Sequence, residues 1–372
     1  MMRVSRRQVL AAAGLSALAG CTTGASSGAT PTASARPTDD PGTETDSSVE
    51  AAVPTAAEQL PLPMTPDALR ENARSGGPPK DGIPSIDDPA FVAADAVDFL
   101  APGDPVFGVS HDGVAKAYPQ KILVHHEIVN DTLGDAPVSV TYCPLTGTVQ
   151  GFERGETTFG VSGRLINNNL VMYDRATETW WPQILATSIP GPWNATPSTR
   201  SLREFRLIWT TWQQWRTQHP ETVVLSTDTG HARNYERDPY GGYNPPSGYY
   251  QSDRLLFSVT NDDDRFQRKT VVMGARTPDG AVAFHKGGLR EKHLVRGELG
   301  TVPVLAVYDP RYDTGYVYLN PDERAYTADA GTVVASDGTP HDPDALPLTR
   351  VHTFDAMWFA WAAYYPETGV YE

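Results

Sequence analysis

The sequence predicts an α+β fold that is β-rich: two related β-rich domains in tandem, each closed by a short helix, behind a disordered stalk. The first observation is internal repetition. Shifted by 166 positions without a gap, residues 106–144 fall on residues 272–310 with about 12 of 39 positions identical, among them Gly108/Gly274, Ala117/Ala283, Leu133/Leu299, Gly134/Gly300 and Tyr142/Tyr308. The second is a later echo at a shift of 146, where Trp212-x-x-Trp215 and Pro220-Glu221-Thr222 recur as Trp358-x-x-Trp361 and Pro366-Glu367-Thr368. The third is a scarcity of helical periodicity beside many short apolar runs divided by turn residues.

The N-terminus, MMRVSRRQVLAAAGLSALAGC, joins a basic region to an apolar run from Val9 to Ala19 and small residues before Cys21. That is the build of an export signal. Arg6-Arg7 behind Ser5 suits the twin-arginine type, and Leu18-Ala19-Gly20-Cys21 resembles a lipobox, so residues 1–21 read as a lipoprotein signal with Cys21 as the lipidated first residue. The expected location is extracytoplasmic, with the membrane held through lipid at Cys21. Residues 22–61 are Ser, Thr, Ala, Gly, Pro and acids, too poor in large apolar groups to offset their ordering entropy, and are expected to form a disordered stalk.

Formal charge is −15, and removal of residues 1–20 takes away three arginines and no acid, leaving −18. Nucleic acid is therefore excluded as a partner on electrostatic grounds. An acid excess with few lysines suits a protein working in concentrated salt, as in a halophilic archaeon. With Cys21 reserved for lipid, Cys143 has no intramolecular partner, and no disulfide framework is expected.

The first copy is placed at 62–229. Asp112-Gly113 divides two apolar runs, and Leu133-Gly134-Asp135 divides HHEIVND from VSVTYC, so the copy opens with hairpins. Val138, Val140 and Tyr142 face one way, and Ser139, Thr141 and Cys143 the other. A helix is expected from about Thr210 to Gln218, ended by Pro220, and its twin from about Asp355 to Tyr364, ended by Pro366. Residues 230–270, dense in Tyr, Gly and Pro, read as a long connection packed by its own aromatics, with a lid or substrate platform as the functional alternative. The second copy is placed at 271–372.

Where the copies differ, chemistry becomes visible. If the hairpin is centred on Gly134 and Asp135, residues whose numbers sum to 269 lie opposite each other, and His126 faces Cys143. A slip of one residue would bring His125 there instead. In the second copy the same register sets Lys292 against Asp309, an opposite-charge pair. A thiol beside an imidazole can ionise and become a nucleophile or a metal ligand, which makes Cys143, His126, Asn130 and Asp131 the candidate catalytic set. A small buried cysteine packed by a structural histidine is the plain alternative. For a metal ion the candidates are Cys143, His125 and His126. With Met172 they would suit copper, and with water they would suit zinc, although no recognised ligand spacing is present. Asn167, Asn168, Asn169, Tyr173, Asp174 and Trp180 combine amides with rings, as a cleft for a sugar or peptide requires. They equally suit tight turns and core packing.

The runs HEIVND at 126–131, VTYCPLTGT at 140–148, FGVSGRLINNNLVMYDRATETWW at 159–181 and DPYGGY at 238–243 resemble a bacterial and archaeal family known as domain of unknown function 3179. The resemblance runs from about Ile83 to Tyr371. Many members carry a second cysteine in a CPLC motif, and here Thr146 holds that place, which speaks against dithiol exchange. Three function classes stay open: a small-ligand or metal-binding lipoprotein, a Cys/His-dependent enzyme on a small or cell-envelope substrate, and a structural or partner-binding surface protein.

Changing Arg6 and Arg7 to lysine is expected to block export. Cys21→Ser is expected to leave export intact and release the protein from the membrane. Fractionation of cells carrying each variant checks both outcomes, and membrane retention of the Cys21→Ser form would show that lipid is not the anchor.

Overall fold

The computed structural model describes residues 53–329 and 331–372. The signal, Cys21 and residues 22–52 of the expected stalk lie outside the described residues. The described residues belong to one compact unit. It is β-rich, with short helices and several sheets. Among the described residues no helix is long and apolar enough to cross a membrane.

The end of the expected stalk is ordered. Val53 is buried, Thr55 bridges to Leu202, and Leu60 donates its backbone N–H to Ser201 Oγ at 2.9 Å. Backbone groups that find partners on the folded body have no reason to stay in water.

The first sheet holds β1 (Phe91–Ala93), β2 (Pro105–His111), β3 (Val114–Pro119), β11 (Ile208–Thr211) and β12 (Val223–Leu225), in the order β11-β2-β3-β12-β1. Asp112 and Gly113 both take positive φ, 49° and 78°, as the two-residue turn between β2 and β3 requires. The short helix α1 (Gln120–Leu123) leads into β4 (Ile128–Leu133), β5 (Ala136–Cys143) and β6 (Thr148–Glu153). These form a second sheet with β10 (Glu204–Phe205), ordered β10-β6-β5-β4. Between β6 and β10 the chain inserts β7 (Phe159–Ile166), β8 (Asn169–Asp174) and β9 (Trp180–Pro182), a third sheet completed by Arg74–Ser75. The helix α2 (Trp212–Gln218) joins β11 to β12, which lies parallel to β3.

The C-terminal half uses β13 (Val271–Thr277), β14 (Gly280–His285), α3 (Lys286–Lys292), β15 (Leu294–Leu299), β16 (Val302–Asp309), β17 (Thr314–Leu319), β18 (Thr349–Val351), β19 (Thr353–Met357), α4 (Trp358–Tyr364) and β20 (Gly369–Tyr371). Its sheets run β19-β13-β14-β20 and β15-β16-β17-β18, with β20 parallel to β14. Gly108 pairs with Ala117 on β2/β3, and Gly274 with Ala283 on β13/β14. A Cβ on Gly108 would come within 2.2 Å of the Trp215 ring, and one on Gly274 within 2.1 Å of the Trp361 ring. Each helix therefore seats its second tryptophan where the strand offers no side chain.

The β4/β5 register is the expected one, with Ile128 opposite Thr141 and Asn130 opposite Ser139. Alternation sorts side chains between two cores rather than between core and solvent. Val138, Val140 and Tyr142 join one apolar cluster with Phe107 and Trp209, while Cys143 joins another with Ile128, Phe159, Val161 and Met172. Burial on both faces is what makes this strand so apolar.

The connection between the halves packs through its rings. Tyr240 meets Tyr249 and Tyr250 edge-on, and Tyr243 meets Tyr250 at 5.1 Å between centroids. Gln120 Nε2 ties it to the first half through Asp238 Oδ2 at 2.9 Å.

Candidate functional site around Cys143 and Glu127

One backbone residue sets the site. After α1 the chain makes one more turn, Glu127 N donating to Leu123 O at 2.7 Å, and Glu127 itself takes φ 58°. A left-handed residue commonly closes a helix, but a glutamate there is uncommon and strained. His293 does the same after α3, at φ 63°. Pairing of β4 with β5 then starts at Ile128, and Tyr142 N donates to Glu127 O at 2.7 Å.

This turn removes the expected His126–Cys143 contact. The strand has ended before His126 could take its place in the register, and the ring is held elsewhere, with Nδ1 2.8 Å from Pro84 O and Nε2 2.7 Å from Tyr235 Oη. Since a carbonyl only accepts, Nδ1 carries the proton and Nε2 accepts from the Tyr235 hydroxyl. Burial, with lesser repulsion from His231 and Arg233, pushes His126 down to about 4 against the pull of Pro84 O, so the ring is neutral at neutral pH. His125 fares no better as a partner for Cys143, its Nε2 lying 3.0 Å from Arg237 O. The expected Lys292–Asp309 pair is absent for the same reason. Lys292 Nζ donates to Glu372 O, and Asp309 binds Arg311.

Asn130 and Asp131 spend their side chains on other groups and make no hydrogen bond to the thiol. Asn130 Oδ1 accepts from Ser139 Oγ at 2.6 Å and Phe159 N at 3.0 Å, and its Nδ2 donates to Asp87 Oδ1 and Phe159 O. Asp131 receives Lys116 Nζ at 2.7 Å and the Tyr118 hydroxyl at 2.6 Å.

The residues expected to line an amide and ring cleft are taken up in a turn, in hydrogen bonds and in packing. Asn167 and Asn168, at φ 51° and 63°, are the two-residue turn between β7 and β8, a task suited to asparagine. Their amides are spent on backbone: Asn167 Oδ1 accepts from Thr260 N, and Asn168 bonds both N and O of Phe257. Asn169 bonds Ile184 N, Thr146 and Gln183. Asp174 receives Thr177 and Trp181 Nε1, while Arg175 pairs with Asp81 and Asp87 rather than with its neighbour. Tyr173 donates to Asp81, and Trp180 is buried against Trp193. Asp81, Asp87 and Arg175 also line an open cleft of about 620 Å³ with Ser85, Asp88 and Asp228.

What the fold does bring to Cys143 is Glu127. Cys143 is 1% exposed and Glu127 6%. The thiol lies 3.5 Å from Asn168 O, and the Tyr249 hydroxyl donates to Leu145 O at 2.8 Å, so that Tyr249 and Tyr240 pack over the cluster. Burial pushes the Glu127 carboxyl up to about 8. Burial and then the adjacent Glu127 charge push the Cys143 thiol up to about 11. Tyr240 is raised by burial and by both of these groups. Among the described residues no hydrogen bond or ion pair reaches the Glu127 carboxyl. At neutral pH the site is a protonated acid beside a protonated thiol.

Among the described residues no three His, Cys, Asp or Glu side chains converge as metal ligands, and Cys143, His125 and His126 in particular do not meet. In the sequence Glu127 stands only as the residue after His125 and His126. Its burial follows from tertiary packing, and no local pattern signals it.

The family model described as "Protein of unknown function (DUF3179)" matches residues 80–368, and the chain belongs to this family. No curated protein and no solved structure matches the chain.

The Glu127 carboxyl titrates near 8 in the folded chain and near the ordinary 4.5 when unfolded. Between those values the unfolded chain has released a proton that the folded chain keeps, so stability falls as pH rises through this window. Glu127→Gln, neutral and of the same shape, removes that slope. In urea unfolding the variant is expected to match the wild type near pH 4 and to exceed it by a few kcal/mol at pH 8. A constant difference across the range would mean that Glu127 is ionised in the folded protein.

Proposed function

We propose that the protein is an extracytoplasmic, lipid-anchored binding protein whose first half holds a small uncharged molecule, rich in amide or hydroxyl groups, against Glu127 and Cys143. Lipid at Cys21 supplies the tether to the membrane. The observation that carries the reading is the Glu127 carboxyl, on a residue 6% exposed beside the thiol, to which no protein group donates a hydrogen bond. The carboxyl oxygens keep a little contact with solvent, and a ligand that exchanges hydrogen bonds with the acid would take the place of water there. The ligand is uncharged because neither group is ionised at neutral pH: a cation finds no carboxylate and an anion finds no fixed positive charge. Tyr240 and Tyr249 are the cover through which it enters.

Binding is favoured over thiol catalysis by the same chemistry. A thiol near 11 is ionised in only about one molecule in 10⁴ at pH 7, and no imidazole is placed to take its proton.

The two halves are further proposed to be copies of one β-rich unit, each closed by its helix, with chemistry kept in the first. The matching strand orders and the Gly108/Trp215 and Gly274/Trp361 contacts support this. So does a contrast at equivalent positions. Asp309, in the place of Cys143, is satisfied by Arg311 at 2.8 Å, and His293, in the place of Glu127, stacks on Tyr308. The second half completes its own pairings, and the first leaves one open.

Native mass spectrometry of the membrane-extracted protein tests the reading. The wild type is expected to carry a non-covalent small-molecule adduct that Glu127→Leu lacks, although this variant unfolds at an equal or higher temperature. A wild type without an adduct, or an adduct that persists in the variant, would count against the reading.

A further inference from the structure

A second unsatisfied group lies where the halves meet, away from Cys143. Arg276 on β13 has a side chain with no exposure, and it sends one N–H from Nη2 to Glu204 Oε1 at 2.7 Å. Its Nε and Nη1 make no bond of ordinary hydrogen-bond length, although the Tyr365 hydroxyl lies close enough to interact with the guanidinium. His352, just before β19, brings Nε2 to 3.6 Å from the same Glu204 oxygen, and that nitrogen is also enclosed without a hydrogen bond. Arg206, two residues beyond Glu204, donates to Thr353 Oγ1, to Thr314 Oγ1 at 3.0 Å and to Gly315 O at 2.6 Å, and its Nε is left over. The Arg276 guanidinium stands 5.0 Å from the centre of the Phe354 ring, and that of Arg206 4.5 Å from the Tyr316 ring.

The inventory is lopsided in a way that names its complement. The guanidiniums of Arg206 and Arg276, with Arg350 nearby, outnumber the carboxylates of Glu204 and Asp355, and Asp355 is already paired with Lys286, so positive charge is in excess. Four enclosed nitrogens on Arg206, Arg276 and His352 lack partners, and the three on the arginines are donors only. Water could donate to Glu204, which has acceptor sites left, but it would leave the excess positive charge uncompensated. An acceptor that carries negative charge and no proton meets both deficits, and the enclosure restricts it to a small one. His352 is pushed down to about 4, chiefly by burial, so it contributes an N–H and no charge.

We propose that the cluster of Arg206, Arg276 and His352 binds one small monovalent anion of halide type and so ties the β10 segment of the first half to β13 and β19 of the second. This site is independent of the one at Glu127. An ion seated here stabilises the folded chain by mass action, so its effect depends on which anion is present and not only on ionic strength.

The test uses bromide. Crystals of the protein grown in sodium bromide are expected to give an anomalous peak within hydrogen-bond reach of Arg276 Nη1 and His352 Nε2. At equal ionic strength the thermal midpoint is expected to be several degrees higher in bromide than in gluconate, whose anion is too large to enter. Arg276→Gln, or His352→Phe should the first fail to fold, is expected to abolish both the peak and the difference. No anomalous peak at the cluster, or a bromide effect equal in wild type and variant, would overturn the proposal.

Discussion

The left-handed turn at Glu127 decides where every candidate side chain goes. Strand pairing alone would carry His126 to Cys143, but the chain reverses its backbone hand one residue later and starts the strand at Ile128. The imidazole is thereby given to Pro84 and Tyr235, and the carboxyl is turned inward beside the thiol. Strain at a residue that tolerates this conformation poorly, and desolvation of an acid without a partner, both oppose folding. They persist because β4, β5 and the tyrosine-rich connection hold the segment from all sides.

A thiol and a carboxyl that share an apolar enclosure both resist ionisation. Burial raises both, and the charge on Glu127 raises the thiol further. The pair therefore differs in kind from a thiolate–imidazolium couple, whose opposite charges favour ionisation. It suits recognition by neutral hydrogen bonds, and it makes the enclosure by Tyr240 and Tyr249 part of the chemistry, since water let in would lower the acid toward its ordinary range.

Much of the scaffold was legible in the sequence because the signals were local. Asp112-Gly113 and Gly134 fixed two hairpins, and with Gly134 as centre the β4/β5 register followed. Trp212 and Trp215 gave a helix closed by Pro220, observed from Trp212 to Gln218. The family was legible from HEIVND and VTYCPLTGT. The site was not, because extrapolating a register assumes that the strand continues, and a break in backbone hand at Glu127 leaves no trace in a two-residue period. Asn167, Asn168 and Asn169 show the converse. Their turn chemistry was readable, but that the turn would be buried, with its amides spent on residues 257–260, depends on a distant segment.

The protonation state of Glu127 is the central claim, and infrared difference spectroscopy of the carbonyl stretch reports it directly. At pH 7 the wild type is expected to show a protonated carboxylic acid band that is absent from Glu127→Gln and that disappears from the wild type as pH rises through about 8. A spectrum without that band at pH 7, with the folded state intact, would contradict the account.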